Sequence, residues 1–308
     1  MTQILVLDGG MGRELLRRGA PFRQPEWSAL ALIEGPEHVS AVHDDFIRAG
    51  ADLITVNSYA LVPFHLGAEV FEREGARLAT LAGRLARQSA DAADRRILVA
   101  GSLPPVLGSY RPDLFDAVEA RRVLDVLVPA LRPSVDLWLA ETQGSIAEAR
   151  VSRAAAGEDG KPFWVSFTLE DRQGIRAEPA RGEEPRLRSG ETVTEAALAA
   201  RDLGAASLLF NCALAELMEP AIRAARAALG DHPLAESVGA YANAFHSNTE
   251  PEDELQANSD ISTLRADLDP ADYSKIVRRW IEAGATRIGG CCGIGPDHIC
   301  AIHRLARP

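Results

Sequence analysis

The sequence predicts an α/β fold, a single (β/α)8 TIM barrel taking in residues 1–308. Three observations carry that prediction. Apolar runs of strand length recur along the chain, each followed by a turn and then by a segment of helical periodicity. Eight such runs alternate with eight helices, which argues a parallel sheet closed on itself. Finally, the runs end on polar, glycine or cysteine residues, as the C-terminal rim of such a barrel does. A doubly wound open sheet is the alternative. Against it, the glycines after the first run, Gly9-Gly10-Met11-Gly12, do not have the dinucleotide-binding spacing.

The elements follow in order. Ile4-Leu5-Val6-Leu7 reads as a buried strand ending at Asp8. Glu14 to Arg18 forms one or two helical turns, and Pro21 to Trp27 is a loop. Pro36 suits the first turn of a helix in which Val39, Val42 and Phe46 share a face, and Gly50 ends it. Leu53 to Val56 is the second strand, ending at Asn57-Ser58-Tyr59, and a long helix covers about residues 67–93. Ile97 to Ala100 is the third, ending at Gly101-Ser102; a proline-rich loop and a helix at about 114–131 follow. Leu137 to Ala140 ends at Glu141, before a helix at about 145–157. Phe163 to Phe167 ends at Thr168, before a polar loop with Gly174, Pro179, Gly182 and Pro185 and a helix at about 192–203. Ser207 to Phe210 ends at Asn211-Cys212, before a helix at about 214–229. Val238 to Tyr241 ends at Asn243; residues 244–269 are polar and acidic, too long for a bare connector. Tyr273, Ile276, Val277, Trp280 and Ile281 mark an amphipathic helix. Arg287-Ile288 opens the last strand, which runs into Cys291-Cys292, and Pro296 starts the final helix.

Composition narrows the function classes. The hydrophobic fraction is 46% and the charged fraction 25%, as in water-soluble globular chains. No apolar window is long enough for a membrane span, and the N-terminus lacks the basic start of a signal peptide. A net charge of -11 disfavours nucleic acid as a partner. Four cysteines, two of them adjacent, do not make a disulfide framework, so a reducing cytoplasmic setting is expected.

The chemistry concentrates in Gly289-Gly290-Cys291-Cys292-Gly293. Three cysteines from two strand ends, Cys212, Cys291 and Cys292, supply the ligand number of a catalytic zinc site with one open position. Other readings stand beside it. Cys212 could be a buried core cysteine, and the adjacent pair a vicinal disulfide or two inert thiols. Cys300, inside the last helix, is taken as structural, and the seven histidines show no metal spacing.

The stretches Asp8-Gly9-Gly10-Met11-Gly12-Arg13-Glu14-Leu15, Ala49 to Tyr59, Asn211-Cys212 and Gly289 to Gly293, in this order, resemble the homocysteine S-methyltransferase family. The resemblance implies a (β/α)8 barrel, Zn2+ on Cys212, Cys291 and Cys292, and homocysteine as methyl acceptor. It also implies that Asp8, in the family's Asp-Gly-Gly motif with Gly9, and Glu141 hold the amino group of homocysteine. Asn57 and Tyr59, in Val56-Asn57-Ser58-Tyr59-Ala60, join them as expected substrate-binding residues. The chain departs from many relatives at residues 103–112 and 244–269, where the methyl donor would bind.

The expected reaction follows from charge. A free thiol, with a pKa of about 8.5, is mostly protonated at neutral pH, and coordination to zinc would deprotonate it. The acceptor would then take a methyl group from an onium donor: S-methylmethionine or S-adenosylmethionine favoured, betaine also fitting. Tyr59, Tyr110, Trp27 and Phe245 are the aromatic candidates to hold the cation. Two alternatives are a zinc barrel methylating another small thiol or a selenol, and a non-enzymatic zinc or redox sensor built on Cys291-Cys292.

Overall fold

The computed structural model describes residues 3–171, 184–246 and 264–307. Eight strands form one parallel sheet: β1 (Leu5–Val6), β2 (Leu53–Thr55), β3 (Leu98–Leu103), β4 (Leu137–Gln143), β5 (Phe163–Phe167), β6 (Ser207–Asn211), β7 (Val238–Ala242) and β8 (Arg287–Gly290). Sequence neighbours pair from β2 to β8, and β8 pairs with β1. A parallel bridge between Leu7 and Leu53 joins β1 to β2 and closes the ring. The fold is a (β/α)8 TIM barrel, as expected.

Among the described residues, eight helices of ten residues or more pack outside it: α3 (Pro36–Ala49), α5 (Ala68–Asp91), α6 (Ala117–Leu131), α7 (Ile146–Ala156), α8 (Val193–Asp202), α9 (Ala215–Leu229), α10 (Pro270–Glu282) and α11 (Pro296–Ala306). Three shorter ones lie in the first two β–α connections: α1 (Met11–Arg17), α2 (Ser28–Glu34) and α4 (Pro63–Leu66). The sequence expectation lacked α2 and α4 and began the helix that corresponds to α5 at about residue 67. In α2, Ser28 through Leu32 are all buried, so no amphipathic period shows. α4 is a single turn of four residues, too short to show a helical period, and Gly67, with φ 78, separates it from α5. Much of the acidic 244–269 segment, and Gly174, Pro179 and Gly182 of the loop after β5, lie outside the described residues.

Strand alternation decides what reaches the barrel interior. In β4, Leu137 and Leu139 belong to the inner cluster with Leu7, Leu53, Ala100, Trp164, Leu209 and Tyr241, while Trp138 and Ala140 belong to the outer layer under the helices. The inner face therefore continues from Leu139 to Glu141, and in β6 from Leu209 to Asn211. Both β3 and β4 run three residues beyond their expected apolar ends, through Gly101-Ser102-Leu103 and Glu141-Thr142-Gln143. Leu103 is buried in the core outside the ring, whereas the other five are polar or small because they sit towards the mouth.

Candidate metal centre and substrate pocket

Local backbone at two strand ends brings the three thiols together. Alternation from Leu209 would put Cys212 on the outer face. Instead it takes φ 53, in the left-handed region that non-glycine residues rarely adopt. Its N–H still bonds the Tyr241 carbonyl at 3.3 Å, and its carbonyl accepts from Thr168 Oγ1 at 3.3 Å. At β8, Cys291 continues the inner face and packs against the inner cluster. The strand ends at Gly290, and the Ile294 N–H closes a turn on the Cys291 carbonyl at 3.0 Å. Gly293, with φ 84, supplies the left-handed residue of that turn, which swings Cys292 back to the mouth. Gly290 serves differently: a Cβ there would lie 2.1 Å from Ile294 Cγ2. Its constraint is close packing.

The Sγ atoms of Cys212 and Cys291 lie 3.0 Å apart and those of Cys212 and Cys292 4.0 Å apart; all three fall within 4.8 Å of one another. A tetrahedral zinc with bonds of about 2.3 Å holds its sulfurs roughly 3.8 Å apart. The donor set and its spacing therefore fit a soft or borderline divalent cation. Electrostatics agree. Contact with Cys212 and Cys292 pushes the Cys291 thiol well up, while contact with its two neighbours, and then the Arg13 charge, pull Cys292 well down. A cluster of this kind carries one thiolate readily and three only against a cation.

The same cavity is lined by Asp8, Gly9, Asn57, Tyr59, Glu141 and the three cysteines. Asp8 accepts from the Thr55 N–H at 2.7 Å and from Thr55 Oγ1 at 3.1 Å. Burial, reinforced by the Glu141 charge, raises its pKa to about 8. Glu141 accepts from Ser102 Oγ and, at 3.5 Å, from the Tyr241 hydroxyl. Burial, with the Cys212 charge adding to it, raises its pKa to about 7. Two carboxylates are thus held from water by neutral donors, an arrangement that favours a cationic ligand. Gly9 offers only backbone here, since a Cβ would lie 2.2 Å from the Ile294 carbonyl oxygen. Asn57 directs its Nδ2 to the Ser28 carbonyl at 3.0 Å, fixing the start of α2, and the Tyr59 hydroxyl bonds Ser109 Oγ at 2.7 Å.

Trp27, Tyr110 and Phe245 also line the cavity, so all four aromatic candidates meet there. Several participants escaped the sequence reading. Thr55 and Tyr241 position the carboxylates but are ordinary strand residues with no local signal; Ser102, which does the same, reads as the polar end of the third strand, with no role assigned to it. Asn211 accepts from the Thr142 N–H at 2.9 Å and from Ser166 Oγ at 2.6 Å, and donates to Thr142 Oγ1 at 2.8 Å. It clamps β4, β5 and β6 beside Glu141 and Cys212; its place before Cys212 was the available clue. Arg13 lines the cavity with its Cζ 5.4 Å from the Phe245 ring centroid.

The homocysteine S-methyltransferase of Escherichia coli (strain K12) is 30% identical to this chain over 325 residues, covering 97% of this chain and 94% of that protein. The selenocysteine methyltransferase of Astragalus bisulcatus is 26% identical over 340 residues, covering 97% and 91%. Among solved structures, the metallated form of the homocysteine methyltransferase MmuM from Escherichia coli has the same fold, with a TM-score of 0.75 at 24% identity, covering 98% of this chain and 96% of that one. The family model described as homocysteine S-methyltransferase matches residues 5–306, and the chain belongs to that family.

Proposed function

We propose that this protein is a zinc-dependent methyltransferase that transfers a methyl group from a sulfonium donor to the thiol of homocysteine, forming methionine. The observation that carries the reading is the convergence of three sulfurs and two buried carboxylates in one cavity at the barrel mouth. Cys212, Cys291 and Cys292 would hold the zinc, which when bound supplies a Lewis-acidic position that makes an entering thiol acidic. Asp8 and Glu141 bind the substrate ammonium, and Gly9, beside Asp8, lines the same pocket with bare backbone. Asn57 and Tyr59 shape the adjoining wall through their bonds to Ser28 and Ser109.

The chain's part in the reaction is alignment. The carboxylates fix one end of the acceptor, so its sulfur lies beside the cysteine cluster. Trp27, Tyr59 and Phe245 offer aromatic faces to the onium group of the donor. Attack in line breaks the donor's bond to its methyl group, and the bonding pair stays on the donor, which leaves neutral. Charge is cancelled in the transfer, so exclusion of water assists it. No proton has to move in that step.

Zinc-loaded protein incubated with homocysteine and separately with S-methylmethionine, S-adenosylmethionine or betaine should give methionine, fastest with a sulfonium. Equal inactivity with all three donors would overturn the reading. The likeness to a selenocysteine methyltransferase favours one second reading, a selenol acceptor. Ratios of kcat/KM for homocysteine and selenocysteine separate the two.

A further inference from the structure

Tyr110 stands among the aromatic residues of the cavity, but its hydroxyl is directed at a sulfur: the oxygen lies 3.0 Å from Cys212 Sγ. Its backbone is left-handed, φ 63, a conformation that an aromatic residue holds only where its surroundings require it. The ring is covered by Arg188, whose Cζ lies 4.9 Å from the centroid. Arg188 is in turn fixed by a salt bridge to Asp171, and Asp171 Oδ2 accepts the Leu214 N–H at 3.1 Å. Leu214 is two residues beyond Cys212. The loops after β3 and β5 and the end of β6 thus close a circuit around one sulfur, running from Tyr110 to Cys212, through the chain to Leu214, then to Asp171, to Arg188 and back to the ring.

A ring that merely filled space would need neither the hydroxyl nor the cation. A guanidinium over the face of a phenol withdraws electron density and makes the O–H a stronger donor. Donation to a thiolate ties up the lone pair with which that sulfur would act as a nucleophile. Cys212 also lines the same cavity as Trp27, Tyr59 and Phe245, where an onium methyl group would rest.

We infer that Tyr110, backed by Arg188, is a positioning residue that quiets the Cys212 sulfur, so that a methyl donor alkylates the substrate and spares the protein's own metal ligand. The inference rests on the zinc and onium-donor reading proposed above. The reaction it prevents is balanced as written: the donor's sulfur–methyl bond breaks, its electron pair leaves with a neutral thioether, and a Cys212 lone pair forms the new bond. The product, S-methylcysteine, has lost the negative charge that holds a metal.

The test uses the full chain at saturating zinc, with iodoacetamide as the alkylating probe. Labelling of each cysteine is followed by peptide mass mapping, and zinc affinity is measured by chelator competition. Tyr110→Phe keeps the ring and removes only the hydroxyl. It should raise Cys212 labelling about tenfold, leave Cys291 and Cys292 labelling unchanged and weaken zinc roughly tenfold. Arg188→Met should move both readouts part of the way, and adding it to Tyr110→Phe should change little, because it acts through the hydroxyl. Wild-type labelling and zinc affinity in Tyr110→Phe, or full additivity in the double variant, overturns the inference while leaving the proposed function standing. A wild-type protein that takes up no zinc defeats both.

Discussion

Asp8 and Glu141 are carboxylates removed from water and held only by hydroxyls and one backbone amide, with pKa values of about 8 and about 7. An ammonium ligand binds their ionised forms. Lowering the pH below 8 protonates first Asp8 and then Glu141, while the substrate amine stays charged, so affinity falls. Calorimetric titration of zinc-loaded protein with homocysteine should show binding weakening from pH 8.5 to 6, by up to about tenfold per unit for each group below its pKa. Asp8→Asn removes one of the two groups. It should weaken homocysteine by roughly 10–100-fold at pH 8 and make the profile shallower; an unaltered profile would show that Asp8 does not meet the amine. His43, on the buried face of α3, makes the opposite case. Neither of its ring nitrogens has a partner among the described residues, and burial lowers its pKa to about 4. Between about 4 and the unfolded value of about 6.5, the unfolded chain binds a proton that the folded chain refuses. Stability is therefore lost as pH falls through that window, by about 3 kcal/mol at its lower end. Urea unfolding of His43→Leu at pH 5 and pH 7 should show a smaller difference between the two than wild type shows.

At the scale of the element, the glycines around the cysteine pair have separate tasks, and substitutions should tell them apart. Gly290→Ala sets a methyl group against Ile294 at 2.1 Å, where β8 meets the turn to α11. It should cost about 1–3 kcal/mol in unfolding experiments and shift Cys291 and Cys292, weakening zinc. Gly293→Ala meets Leu264 Cδ2 at 2.5 Å, the end of a flexible side chain, so its main cost is the left-handed backbone, about 1–2 kcal/mol. If neither variant altered zinc affinity, the turn would not be what aims the sulfurs. The strands were legible because buried parallel strands read as apolar runs, and most helices because their apolar faces recur with helical period. The outer ends of β3 and β4 were not, since Gly101-Ser102 and Glu141-Thr142-Gln143 look like turn residues until the mouth is seen. For the site, Cys212, Cys291 and Cys292 could be named because each ends a strand and offers a thiolate; Asp8 and Glu141 also end strands, and the family resemblance implied their role. Ser102 reads only as a strand end and Tyr110 only as an aromatic face; the bonds they make, like the part that Thr55 plays, depend on partners that only the closed ring brings near.

Across the whole molecule, the two ends of the barrel divide the labour, and the N-terminal end shows its own repeated device. The residue before β2, Asp52, accepts the Val6 N–H of β1 at 3.0 Å and forms salt bridges with Arg95 and Arg307 at 3.3 and 3.0 Å. The residue before β4, Asp136, accepts the Val99 N–H of β3 at 2.8 Å and pairs with Arg87 at 2.8 Å. Each aspartate continues the ladder where the sheet is ragged, and arginines neutralise it: Arg87 of α5 at Asp136, and Arg95 from the loop before β3 with Arg307 from beyond α11 at Asp52. The need is greatest at Asp52, because β1 has two residues and meets β2 through the one Leu7–Leu53 bridge. Asp52→Ala should therefore destabilise the fold more than Asp136→Ala, by about 1–3 kcal/mol, with most of the loss from the orphaned Val6 N–H. Both aspartates stand at the end of the barrel away from the cysteines. Denaturant midpoints should fall in both variants while zinc affinity and homocysteine binding stay within twofold of wild type. Loss of zinc in Asp52→Ala without loss of stability would mean that the β1–β2 seam governs the mouth, where Asp8 and Thr55 meet across it.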